Sequence, residues 1–160
     1  MAAATADQIS TVRSLGDATE IVAAIKTSTT LYTGTLVNFD TIGRLVDGDN
    51  LASQTFAGEL IEIINDSGSS ISAGTGNTGG TVKGRVRYGH EMLLTVLTAA
   101  RTYSNLGRNV YVMTNVEVSD LTAAGTAAVR VIAGTLTQFG SSTATGWVRL
   151  KTMGAANAGV

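Results

Sequence analysis

The chain has 160 residues, 44% of them hydrophobic and 14% charged, with a formal net charge of −1. That length suits one domain, and the apolar share is enough for a core under a weakly charged surface suited to contact with partners. The near-neutral balance gives no bulk attraction to nucleic acid or anionic lipid, and the lack of cysteine rules out disulfides, zinc–thiolate sites and thiol chemistry.

The start, Met1 to Asp7, has neither the positive residues nor the long apolar run of a secretory signal. No apolar run approaches the ~18 residues of a membrane span, so the expectation is a soluble chain made in the cytoplasm. Residues 1–18 are Ala, Thr and polar residues without a sustained period. An extended N-terminal arm is preferred there over a weak helix around Ile9 to Leu15. β-Branched residues abound, glycines number 19 and proline is absent, which favours many short strands joined by glycine corners.

Strand signals start at residues 20–26 and continue through 35–39, where the turn Asp40-Thr41-Ile42-Gly43 leads to 44–46 as a hairpin. A polar loop, 47–54, precedes a strand over 56–64. The Gly, Ser and Asn-rich run 65–80 reads as a long mobile loop. Residues 81–88 alternate cleanly, with Val82, Gly84, Val86 and Tyr88 on one face and Thr81, Lys83, Arg85 and Arg87 on the other. In 91–97, Met92, Leu93, Val96, Leu97 and Ala100 also fit one helical face, but Gly89 and Gly107 at the flanks favour a strand. Further strands are predicted at 110–113, 116–118, 128–133, 135–139 and 146–151, and residues 153–160 read as a frayed tail. The spacing predicts an all-β fold, a small β-barrel or β-sandwich over residues 19–152, with the arm at 1–18 and the tail at 153–160.

Candidate chemistry is sparse. His90 is the only histidine. Its neighbour Glu91 would point to the opposite face of a strand, so it is badly placed to orient His90 as a general base. Asp47 and Asp49 in D-G-D-N have the spacing of a calcium loop, but no glutamate follows in register, and the same letters serve an ordinary turn. G-T-G-N-T-G-G (74–80) leads into a strand rather than the helix that a phosphate cradle needs. Lys83, Arg85 and Arg87 form a basic stripe without interleaved aromatics, which reads as a solvated face or a contact with an acidic protein surface. Tyr111 and Trp147 read as packing anchors. The expectation is no enzyme, no metal and no cofactor, with no nucleic-acid or membrane partner.

The order of the segments carries a resemblance. L-Y-T-G-T-L-V-N-F-D-T-I-G-R-L-V (31–46), F-A-G-E-L-I-E-I (56–63), V-K-G-R-V-R-Y-G (82–89), N-L-G-R-N-V-Y-V-M-T-N-V-E-V (105–118), V-I-A-G-T-L-T-Q-F (131–139) and W-V-R-L (147–150) together resemble the capsid decoration, or cement, proteins of tailed bacteriophages. The likeness spans about residues 20–151. It departs at Met113-Thr114-Asn115, where that family often has Asp-Asp or Asp-Asn, and the arm and the glycine-rich loop match no pattern of the family.

The resemblance implies a β-tulip-like barrel on the outer surface of the virion capsid. Such a protein binds the major capsid protein, forms homotrimers and cements neighbouring capsomers against internal DNA pressure. Multivalent clamping is the physics, because modest contacts sum through high effective concentration. The arm would add a strand to a shell sheet, with Thr5, Asp7, Gln8, Ile9, Val12 and Arg13 as its contacts, helped by Lys83, Arg85 and Arg87. Val110, Tyr111, Val112 and Met113 would be wall that either fills the barrel or seals it against a neighbouring copy, with Tyr111, Met113 and Trp147 as the contacts between copies. The alternative expectation is an outer-surface adhesion barrel that reads carbohydrate or a host surface with the 65–80 loop.

Overall fold

The computed structural model describes residues 3–6, 8, 10–51, 53–97, 103–120, 131–141 and 144–151. Its strands are β1 (Val12–Arg13), β2 (Thr19–Ala24), β3 (Thr30–Tyr32), β4 (Leu36–Phe39), β5 (Leu45–Asp47), β6 (Thr55–Ile64), β7 (Ser70–Ile71), β8 (Ala73–Thr75), β9 (Lys83–Tyr88), β10 (Glu91–Val96), β11 (Asn109–Thr114), β12 (Glu117–Ser119), β13 (Ile132–Phe139) and β14 (Thr145–Leu150). No helix among the described residues is long and apolar enough to cross a membrane.

Strands β10, β12, β11, β13 and β14 close into a barrel, because β10 pairs with both β12 and β14. Met92, Leu94, Val96, Val110, Val112, Val118, Leu136 and Val148 fill it. The strand reading of 91–97 therefore holds, and Met92, Leu94 and Val96 alternate inward at period two. Strands expected separately at 128–133 and 135–139 are one, β13; residues 128–130 lie outside the described set. Gly134 is no turn but a point of close approach, since a side chain there would meet the carbonyl oxygen of Arg149.

A second sheet runs β2-β9-β6-β4-β5. It curls until Ile25, just past β2, bridges in parallel to Leu45, the first residue of β5, with Lys26 N–H donating to the Leu45 carbonyl at 2.9 Å. Its own core holds Ile25, Leu31, Val37, Leu45, Leu60, Ile63 and Val86. β4 is a shared wall: Leu36 packs into the barrel cluster and Val37 into the second one. On β6, Phe56 joins the barrel side, whereas Ala57, Leu60 and Ile63 join the other. A spacing of three on one strand face needs register shifts, and β6 has them against both β4 and β9.

The segment expected to be a mobile loop is ordered. Ser70–Ile71 pairs with β6, and Ala73–Thr75 pairs with β3. Asn65 explains the first corner, because its Oδ1 accepts from Ser67 N–H at 3.1 Å and Ser69 N–H at 2.8 Å. Ile71 then packs on the second core. The run lacks apolar residues enough to look structured, yet one isoleucine and side-chain turns suffice once β6 offers an edge.

The N-terminal segment also differs from expectation. It is extended, but it lies along its own body. β10 uses one edge for β14, and its other edge is divided: β12 pairs with Thr95 and Val96, and β1 pairs with Glu91 and Met92. Thr11 continues that pairing by accepting from Leu93 N–H at 2.9 Å. The segment thus completes an edge that the three-residue β12 is too short to cover.

Candidate functional site

The most concentrated polar chemistry lies where the N-terminal segment crosses both sheets. Register places Glu59 of β6 opposite Arg87 of β9, and the short turn after β9 brings His90 to the same point. Glu59 is 1% exposed and His90 is 0% exposed. One carboxylate oxygen of Glu59 accepts from Arg87 Nη2–H at 2.9 Å and from His90 Nε2–H at 2.7 Å. The other accepts from the Ser10 hydroxyl. Burial pushes the Glu59 carboxyl up, but the His90, Ser10 and Arg87 hydrogen bonds and the guanidinium charge outweigh it and hold the group below its usual value.

A serine, a histidine and a glutamate in contact invite comparison with a hydrolytic triad. The connectivity is wrong for one. Ser10 donates to Glu59 rather than to His90, so the imidazole is not placed to take its proton, and among the described residues the His90 Nδ1 has no hydrogen-bond partner. What the arrangement does is fasten three pieces of chain, the N-terminal segment, the second sheet and the edge of the barrel, through one sealed carboxylate.

A second carboxylate repeats the device on the outer barrel wall. Glu91 accepts from Arg13 Nε–H at 2.6 Å and from Ser14 Oγ–H at 3.2 Å, with Thr137 Oγ also bonded to it. The Arg13 hydrogen bond, working against burial and with help from Thr137 and Ser14, holds Glu91 at about 2. The same guanidinium lies 4.2 Å from the ring centroid of Trp147. A third clamp uses Asn115, whose Oδ1 accepts from Ala4 N–H at 2.7 Å while its Nδ2–H₂ donates to the Ala4 carbonyl at 3.0 Å. An amide side chain here mimics a paired strand.

Among the contacts expected on the arm, Thr5 is exposed, and Gln8 donates its backbone N–H to Thr33 O at 2.8 Å. Val12 packs against the barrel core, and Arg13 is engaged as above; Asp7 and Ile9 lie outside the described residues. The basic stripe keeps its predicted face but not its freedom. Arg85 pairs with Glu62 at 2.8 Å and reaches Glu20 at 3.7 Å, and Arg87 is sealed against Glu59. Lys83 alone of the three is exposed. Val110 and Val112 fill the barrel as wall, Tyr111 is buried, Met113 is half-buried, and Trp147 lies beneath Arg13.

Sequence reasoning weighed Glu91 as the partner of His90 and missed Glu59 and Ser10. Glu59 did leave a signal, as a carboxylate inside the apolar run F-A-G-E-L-I; Ser10 left none. Fold and site together define an all-β protein built on a closed five-stranded barrel and braced by buried carboxylates. No protein-family model matches the chain, and no curated protein or solved structure matches it.

Proposed function

We propose that this chain is a structural virion protein that binds the exterior of an assembled phage capsid and cements neighbouring capsomers. The observation that supports this reading best is the use the fold makes of its ionic groups. Glu59, His90, Arg87 and Ser10 are closed together inside, and they tie the N-terminal segment to both sheets. Groups spent in this way stiffen a body whose value lies in its surfaces. A stiff body loses little conformational entropy on docking, so its contacts are conserved as affinity. The ordered resemblance of the strand segments to cement proteins supplies the capsid as the target.

Attachment then involves the major capsid protein and further copies of the chain, in a homotrimer that multiplies weak contacts. Because Ala4, Gln8, Ser10, Val12 and Arg13 are fastened in the free body, removing the segment would strand Glu59 and Glu91, and a loss of shell binding would be ambiguous. Charge reversal at the exposed Lys83 avoids that. In co-sedimentation with undecorated shells of the phage that encodes the chain, the wild-type protein pellets at a fixed ratio to shell subunits. Lys83→Glu pellets less, at unchanged thermal stability. Wild-type protein that stays in the supernatant over saturating shells would refute the proposal.

A further inference from the structure

Asp47, at the end of β5, faces a cleft of about 410 Å³ where the two sheets meet. Val46, Gly48, Asp49, Met113, Thr114 and the Lys26–Thr29 turn contribute to its lining. The carboxylate is held in place from behind. Asn115, 0% exposed, donates Nδ2–H to Asp47 Oδ1 at 2.8 Å, and Asn115 is itself fixed by its two bonds to Ala4. Gly48 is required next to it, since a side chain there would press on the Leu36 carbonyl and the Asn115 backbone.

Asp47 differs from three of the carboxylates described above, and shares with the buried Glu117 the lack of an arginine among the described residues. Glu59, Glu62 and Glu91 each have an arginine. Among the described residues no cation pairs with Asp47, although Lys26 lines the same cleft. An oriented, partly desolvated carboxylate beside hydroxyls and an apolar wall is a socket for a cation on a short apolar stem. Thr29 and Thr114 supply the hydroxyls, and Val46 and Met113 the wall. A bare metal ion fits less well, since no group of three or more acidic or histidine ligands occurs among the described residues.

We propose that this cleft receives the side chain of a lysine or arginine from a partner protein, with Asp47 as its counter-ion. The inference goes beyond capsid attachment and does not depend on it, because the socket belongs to the free body. Burial, opposed by the Asn115 and Gly48 hydrogen bonds and reinforced by the charge of Asp49, pushes Asp47 up to about 6. A cation binds the ionised form, so affinity is full above that value and is lost as the carboxyl takes up its proton below it. Lys26 and Asp49 are the charged residues that line the cleft with Asp47 among the described residues, Lys26 competing with the guest and Asp49 aiding it.

The test is amide NMR of the full chain titrated with N-acetyl-lysine N-methylamide, n-butylamine and, as the uncharged control, n-butanol. The expected result is saturable shifts at Thr29, Gly48 and Thr114 with both amines and none with butanol, weakening by about tenfold per pH unit below the carboxyl midpoint. Asp47→Asn abolishes the shifts, and Lys26→Gln strengthens binding severalfold. Tighter binding of the lysine derivative than of butylamine assigns the site to a protein side chain, whereas the reverse order contradicts that assignment. Shifts that never saturate, that do not change with pH in the wild-type chain, or that survive in a folded Asp47→Asn variant overturn the socket. The wild-type pH series decides the matter even if the variant does not fold.

Discussion

Arg87→Met isolates what the sealed carboxylate contributes. Glu59 is 1% exposed and Arg87 17% exposed at the side chain, and their ion pair spans 2.9 Å. Methionine keeps most of the aliphatic stem but removes the charge and two donors to Glu59, those of Nε and Nη2. The carboxylate then keeps only His90 and Ser10 in an environment that water does not reach. Breaking a buried pair from one side costs roughly 3–5 kcal/mol, because the remaining charge is uncompensated. For a chain of this size that corresponds to a fall of about 10 °C in Tm.

Urea denaturation at neutral pH measures the loss, and repeating it in acid checks its cause. In the wild type Glu59 is held below its usual value of 4.5. Its stabilising contribution is therefore complete above that value and disappears as pH falls through the lower, folded one. In Arg87→Met the carboxyl titrates higher and protonation relieves the stranded charge, so the gap between variant and wild type narrows on acidification. The double variant Glu59→Gln/Arg87→Met should lose less than the single one. A single variant within about 0.5 kcal/mol of wild type, the usual range of a surface substitution, would refute the reasoning.

Other perturbations separate the remaining devices. Arg13→Gln removes the main cause of the low Glu91 value; wild-type stability falls as pH drops from 4.5 toward about 2, and the variant should lose that acid limb, worth roughly 2 kcal/mol after allowance for the partly exposed arginine. Asn115→Ala should raise the hydrogen-exchange rate of the Ala4 amide by at least an order of magnitude while amides of β10 and β14 keep their protection. Gly134→Ala forces a methyl group onto the Arg149 carbonyl and should cost more than ~2 kcal/mol in denaturation, whereas Gly16→Ala, with nothing near its added carbon, should change stability by less than ~0.5 kcal/mol.

Much of the barrel is legible in the sequence because its strands alternate. Val110 and Val112, expected as wall, fill the barrel, the strand character of Glu91–Val96 reads correctly, and in the second sheet the face shared by Val82 and Val86 is the buried one. The strands that sequence reasoning missed are β1, β3, β7 and β8, which have two or three residues each and show no period of their own. β1 and β7 exist because the longer β10 and β6 leave edges to be paired, whereas β3 and β8 pair with each other. The shared wall was hidden for a different reason: register shifts on β6 move Ala57, Leu60 and Ile63 to one side, where simple alternation would split them. Nor does local sequence join Ser10, Glu59 and His90, which lie 49 and 31 positions apart along the chain. Only the register between β6 and β9, and the path of the N-terminal segment past it, brings them together.

Heating DNA-filled shells with and without bound protein tests the cementing claim most directly. The proposed role predicts that genome release, followed by a DNA-binding dye, moves to higher temperature as occupancy rises and then levels off once the shell is saturated. Release at one unchanged temperature, on shells that micrographs show to be fully decorated, would contradict it.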